Sequence, residues 1–415
     1  MKITSCLFVF IIVAMLLVTS CAGNGGDTSP TSSAPPSSTA PEGDISILVQ
    51  GNTEFTFDLY QQMKDMGGNF FISPYSISTA FAMTYAGARD ETEQQMADTL
   101  HFTLPQESLH AAFAKLDSLF KEMVEWFRLN IANAIWGQEG YDFLPTYLEL
   151  IKTYYGCDLH LLDFINEPGE AIQEINQWAS DQTEGRIKNI LDSSSIHPLV
   201  RLILANATYF KANWAHKFNE NNTSNDNFYL LDGSTVTVPM MHQQQQFDYA
   251  EDDTYQAIRL PYTGNKMAMT VLLPRAGEFE SFENSLDAQI LKEIVDKMEP
   301  KQVDLSLPKF TFESTYRLET VLAEMGMPIA FSGAADFSGM TSDTSLFIGS
   351  AIHKSFVSVD EVSTEAAAVQ GNVIVVSATP APTVRFTANR PFIFLIQDLE
   401  TGSILFIGRT LNPAA

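Results

Sequence analysis

Residues 361–382 read EVSTEAAAVQGNVIVVSATPAP, and the segment changes character twice. Ser363-Thr364-Glu365 followed by Ala366-Ala367-Ala368 has the form of a capped helix start, since Ser and Thr cap and Ala has the highest helix propensity. Val373 to Val376 is short, apolar and β-branched, the pattern of a buried strand. Thr379-Pro380-Ala381-Pro382 suits neither state, because proline donates no backbone hydrogen bond. Helix start, strand and stop follow one another without a break, and no single element accommodates all three.

Around it the chain divides into two styles. Before residue 200, DETEQQMADTLHF (90–102) and GEAIQEINQWASDQTEGRIKNIL (169–191) carry apolar residues at three and four spacing behind acidic starts, with Gly185 placed to cap a helix. From about Leu202 strand patterns dominate: RLILANATYF, TVTVPMM, QAIRLPY, KMAMTVLLP, VDLSLPKFTF, then RPFIFLIQD and SILFIGRTL. The last two, joined by Asp398 to Gly402, predict a hairpin. Long strands with packed helices imply an α+β fold built on a large, mainly antiparallel sheet.

The start of the chain is of another kind. Leu7 to Val18 is a 12-residue apolar run, too short to span a membrane and suited to a signal-peptide core. Val18-Thr19-Ser20-Cys21 resembles a bacterial lipobox, which makes residues 1–20 a signal and Cys21 a lipidated first mature residue, on an exported envelope or extracellular protein. Residues 22–44, rich in Gly, Ser, Thr and Pro without periodicity, form a tether, leaving a folded part from Ile45 onward.

With Cys6 and Cys21 so placed, Cys157 is the one cysteine of the folded part, so no internal disulfide and no Cys-x-x-Cys metal site is expected. The formal charge of −26 makes nucleic acid an unsuitable partner and favours solubility. The seven histidines form no His-Glu-x-x-His pattern, and neither a Gly-x-Ser-x-Gly elbow nor a phosphate-binding glycine loop occurs. Cys157, among apolar neighbours, reads as a core residue rather than a nucleophile. Neither an enzyme nor a cofactor is indicated.

NFFISPYSISTAFAMTYAGARDETEQQM (69–96), NQWASDQTEGRIKNIL (176–191), LANATYFKANW (204–214), VPMMHQ (238–243), LPKFTF (307–312), FTANRPFIFLI (386–396) and FIGRTLNP (406–413) together resemble the serpins, in that family's order. The resemblance covers essentially everything after Ile45 and implies three β-sheets, eight or nine helices and an exposed reactive-centre loop over about 361–385. It implies that Glu361, Ser363, Thr364, Glu365, Ala366, Ala367 and Ala368 form the loop's hinge. In inhibitory members the cleaved loop enters the main sheet as a new strand, trapping the protease as an acyl-enzyme.

The side chains suit that movement. Thr364, Ala366 and Ala368 alternate at period two and are small enough to slide inward, while Glu365 and Ala367 face out. By the family's spacing the hinge Thr364 lies fourteen residues, counted inclusively, before a bond at Ser377–Ala378, with Val376–Ser377 the alternative. Small and β-branched residues there imply an elastase-like or subtilisin-like serine protease as partner; a cysteine protease is left open.

The resemblance further assigns Ser73, Ser76, Asn206 and His353 to a shutter beneath the sheet, Trp214 and Lys309 to a breach at its top, and Glu361 to a pair with Lys309. Ser363 replaces the family's usual glycine, and Gln370 and Asn372 would face the sheet interior, departures that bear on trapping efficiency. The leading expectation is a monomeric suicide inhibitor. The alternative is a non-inhibitory member that binds or chaperones a partner.

Overall fold

The computed structural model describes residues 40–122, 127–197, 199–342, 345–362 and 383–415. Among these residues the chain forms nine α-helices and fourteen strands. Helix α1 (Glu42–Met63) starts inside the stretch read as tether, because Glu42 and Asp44 place negative charge at its amino end and Asp44 N–H finds the Pro41 carbonyl. Strand β1 (Phe70–Ile72) leads to α2 (Pro74–Tyr85), where Ser73 caps by accepting from Ser76 N–H and Pro74 occupies the first turn. Helix α3 (Asp90–Leu100) opens on Asp90, Glu91 and Glu93 and stops at His101 in the left-handed region.

Helix α4 (Gln106–Glu122), strand β2 (Phe127–Gln138), helix α5 (Pro145–Tyr155) and strand β3 (Leu159–Leu162) follow. Helix α6 (Pro168–Gln182) ends well before residue 191. Glu184 and Gly185 both have positive φ, at 53° and 75°, and Gly185 N–H turns back to the Ser180 carbonyl.

The later strands are β4 (Leu202–Ala212), β5 (Ser224–Tyr229), β6 (Thr235–Glu251), β7 (Tyr255–Pro261) and β8 (Met267–Pro274). After α7 (Phe279–Ser285) and α8 (Ala288–Asp296) come β9 (Glu299–Pro308) and β10 (Phe310–Arg317), α9 (Leu318–Met325), β11 (Ser350–Val359) and β12 (Val384–Thr387). Strands β13 (Phe392–Asp398) and β14 (Ile404–Thr410) make the expected antiparallel hairpin.

Two hydrogen-bonded ladders result. One has nine strands in the order β1-β14-β13-β8-β7-β6-β9-β12, with β5 added on β6; the other has five, in the order β10-β11-β4-β2-β3. The larger ladder is divisible at β6, which pairs β5 over its first residues, β7 over its last and β9 in between. That continuity along one 17-residue strand unites two of the three sheets implied by the resemblance. Most pairings are antiparallel, but β4–β11, β2–β3 and β9–β12 are parallel.

Phe71 ties the ladders together through its backbone, its N–H donating to Ser314 Oγ of β10 at 3.1 Å and its carbonyl accepting from the Ser355 hydroxyl of β11. Its ring stacks within the larger ladder, on Phe406 at 4.8 Å and on Phe394 at 5.8 Å. A second core lies between α6 and the five-stranded sheet. Ala132, Ala134, Ala205 and Ala207 give the sheet a smooth face there against Ile175 and Ala179.

Candidate functional site

The centre of the five-stranded sheet is its one interior parallel seam. Strand β11 pairs β4 from Ser350↔Ile203 to Phe356↔Tyr209, and beyond that register the two strands part. Each continues with its other neighbour, β11 with β10 up to Val359 and β4 with β2 up to Ala212. A narrow cleft lined by Phe210, Ala212, Trp214, Val357 and Val359 occupies the parting. The chain leaves β11 at this open end through Asp360, Glu361 and Val362, and is next described at Thr383, entering β12.

Side chains hold that exit. The Trp214 indole N–H donates to the Asp360 carbonyl at 2.9 Å, and its ring stacks on Tyr262 at 4.7 Å. Phe218 N–H donates to the Glu361 carbonyl at 3.0 Å. The Glu361 carboxylate, only 6 % exposed, accepts from Lys309 Nζ at 2.6 Å and from the Thr223 hydroxyl at 2.7 Å. Burial alone would raise its pKa, but the Lys309 ammonium and Thr223 hydroxyl outweigh it and hold the carboxyl below its ordinary value.

Midway along the seam lies a second cluster. His353 on β11 is opposite Asn206 on β4, and Asn206 is opposite Asn133 on β2. Ser73 N–H donates to His353 Nε2 at 3.1 Å, so that nitrogen carries no proton. The ring is therefore the Nδ1–H tautomer, donating across the seam to Asn206 Oδ1. Asn206 Nδ2 donates to Ser76 Oγ and to Asn133 Oδ1, and Ser76 Oγ donates to Asn133 Oδ1 at 3.2 Å. Ser73 Oγ in turn donates to the Leu405 carbonyl of β14 at 2.7 Å. His353 is fully buried, and burial brings its pKa from 6.5 down to about 3.

The structure thus brings Ser73, Ser76, Asn206 and His353 into one network, and Trp214, Lys309 and Glu361 into another. Asn133 belongs to the first and was missed from sequence. Its signal was present: Ala132-Asn133-Ala134 and Ala205-Asn206-Ala207 are the same triplet, and they pair residue for residue. Ser363, Thr364, Glu365, Ala366, Ala367, Ala368, Gln370, Asn372, Val376, Ser377, Ala378 and Cys21 lie outside the described residues.

The Cys157 thiol lies 3.4 Å from the Asp158 carbonyl and 3.7 Å from the Asn133 carbonyl, and burial pushes its pKa up, away from nucleophilic character. Among the described residues no group of three or more His, Cys, Asp or Glu could hold a metal, and no helix is long and apolar enough to cross a membrane.

Comparison with known proteins agrees with this architecture. The family model for serpin (serine protease inhibitor) matches residues 50–413. An uncharacterized serpin-like protein of Thermococcus kodakarensis is 43% identical over 376 residues, covering 90% of this chain and 87% of that one. Human leukocyte elastase inhibitor is 38% identical over 378 residues, covering 88% and 99%. The native structure of the thermophilic serpin tengpin matches with a TM-score of 0.80 at 30% identity, covering 90% of this chain and 95% of that one. Uncleaved ovalbumin matches with a TM-score of 0.80 at 29% identity, covering 88% and 100%. The chain belongs to the serpin family.

Proposed function

We propose that the protein is a suicide-substrate inhibitor of elastase-like or subtilisin-like serine proteases. The observation that carries this reading is the parallel β4–β11 seam, open at the end where the chain departs toward the loop. A strand that turned back from Val362 would run antiparallel to both β11 and β4. It would replace one parallel pairing, the slightly weaker kind, by two antiparallel ones.

In the proposed sequence the protease serine attacks the Ser377 carbonyl and forms an acyl ester, and the amine of Ala378 leaves. The freed end then enters the seam from the hinge, with Thr364, Ala366 and Ala368 inward. About fourteen residues of strand carry the tethered protease roughly 45 Å along the sheet. New ladder bonds and the burial of Ile374 and Val376 supply on the order of 10–20 kcal/mol. A displacement of about 1 Å in the protease's catalytic groups already slows deacylation about 100-fold. The relative named leukocyte elastase inhibitor supports the choice of target class.

Incubation with elastase or subtilisin tests this. A covalent complex that survives boiling in detergent is expected, with a carboxyl-terminal fragment whose mass places the cut after Ser377, or after Val376. Complete cleavage without any complex would instead favour a non-inhibitory member.

We also infer that Cys21 is lipidated after removal of residues 1–20, with a protease-facing domain held at the cell envelope. Metabolic labelling with radioactive palmitate, lost in Cys21→Ser, is the expected result.

A further inference from the structure

A second cleft lies away from the seam, on the nine-stranded ladder. It encloses about 610 Å³ between the end of β5, the turn that links β8 to α7, and the residues joining β12 to β13. One part of its wall is apolar, formed by Leu230, Leu231, Pro274, Phe279 and Pro391. Tyr229 and Leu231 stand 50% and 49% exposed on its edge, two of the larger apolar side chains left in water among the described residues.

Two guanidiniums meet in this cleft, and they are not equivalent. Arg275 is neutralised by Glu251 at 2.7 Å and also donates to the Asp252 carbonyl. Arg390 is half-buried and has no carboxylate within ion-pairing distance among the described residues. Its Nε–H goes to the Pro274 carbonyl at 2.8 Å, and one Nη1–H makes a long contact of 3.4 Å to Asn389 Oδ1. Of five donors, the outer edge of the fork, both Nη2 hydrogens and one on Nη1, is left without a protein acceptor. Burial and then the like charge of Arg275 lower the Arg390 pKa, which is the signature of a cation short of an anion. Glu280, on the rim, is exposed and forms no ion pair with it. In a chain with 50 acidic and 24 basic residues, a half-buried Arg held by no carboxylate is costly, and Arg390 directs its free donors into a cleft.

We propose that this cleft binds a small amphiphilic carboxylate with an aliphatic body. The carboxylate takes the free two-pronged edge of Arg390, and the chain lies against Leu231, Leu230 and Phe279. The volume suits a body of about ten carbons, and an apolar wall with one convergent polar anchor is how small-molecule sites are commonly built. The proposal concerns the uncleaved protein and does not depend on protease inhibition.

Titration calorimetry of the intact, uncleaved chain with decanoate and with decanol, both below their micellar range, tests it. Decanoate should bind one to one, about tenfold or more tighter than decanol, since a charge-assisted hydrogen bond separates them. Arg390→Gln should bring decanoate to the level of decanol, with Arg390→Lys, which keeps the charge but loses the fork, between the two. Leu231→Asp should weaken both ligands. An unchanged urea midpoint identifies the variants that are folded. Equal affinity for the two ligands, or a decanoate affinity unaffected by Arg390→Gln or Leu231→Asp, would overturn the proposal. So would failure of the intact protein to bind decanoate at all.

Discussion

His353 shows how one side chain can hold a sheet closed. Its neutral ring accepts from the Ser73 amide and donates to Asn206, so β11 is fastened to β4 and to the start of α2 at once. A proton added at Nε2 would face the Ser73 N–H with a second donor and break one link. The native pKa of about 3 lies below the ordinary 6.5, so the unfolded chain binds this proton first. The ring's contribution to stability is therefore complete above about pH 6.5 and is lost as pH falls toward 3, by up to about 1.4 kcal/mol per pH unit. The drop in melting temperature between pH 7.5 and pH 5 should be larger for the natural protein than for His353→Gln; equal drops would remove His353 as the cause. Asn133 is tested more simply. Asn133→Ala deletes the acceptor shared by Ser76 and Asn206, and should cost about 1–3 kcal/mol in urea unfolding.

At the scale of elements, the seam is asymmetric: paired in its lower part, parted above Phe356, and latched at the exit by Trp214, Lys309, Thr223 and Glu361. Lys309 is 36% exposed at its side chain, so solvent screening keeps its pair with Glu361 under about 1 kcal/mol. The hinge composition, not the latch, should then decide whether a cut loop enters. Thr364→Arg puts a charged side chain on the face that must slide inward. The expected outcome on gels is continued cleavage by elastase with the covalent complex lost; complexes formed at the natural ratio would mean that this face does not enter the sheet.

The elements themselves were unequally legible. The β13–β14 hairpin and α3 follow from local pattern, because alternation and capping are written in adjacent residues. Strand β2 was not, since Asn130 and Asn133 interrupt its apolar run, and Asn133 pays for its place only through Ser76 and Asn206, distant in sequence. The Gln243-Gln244-Gln245-Gln246 stretch carries no strand signal either, and is extended because β9 pairs it along its length. Likewise the pairing of His353 with Asn206 is a matter of register between strands far apart in the chain, which no local period encodes.

Trapping by loop insertion would require the whole molecule to fold short of its most stable pairing. The described residues form a sheet whose central pairing is the parallel one, although antiparallel pairing of a strand between β4 and β11 would satisfy more backbone groups. On the proposed mechanism, a native state that leaves such pairing unmade would persist through a kinetic barrier, since opening the seam requires breaking seven paired positions and the His353–Asn206 link together. A cut near Ser377 would free one end of the loop to enter the seam. If insertion then returns on the order of 10–20 kcal/mol, the melting temperature of the nicked protein should rise by about 15 °C or more, given the size of the folded part. The nick should be made with a protease that does not stay bound, or in Thr364→Arg as the non-inserting control, and melting followed by circular dichroism. A rise in the natural chain that is absent in the control ties the gain to the hinge. Identical melting before and after the cut would mean that the seam stores nothing, and the trapping mechanism would have no source of work.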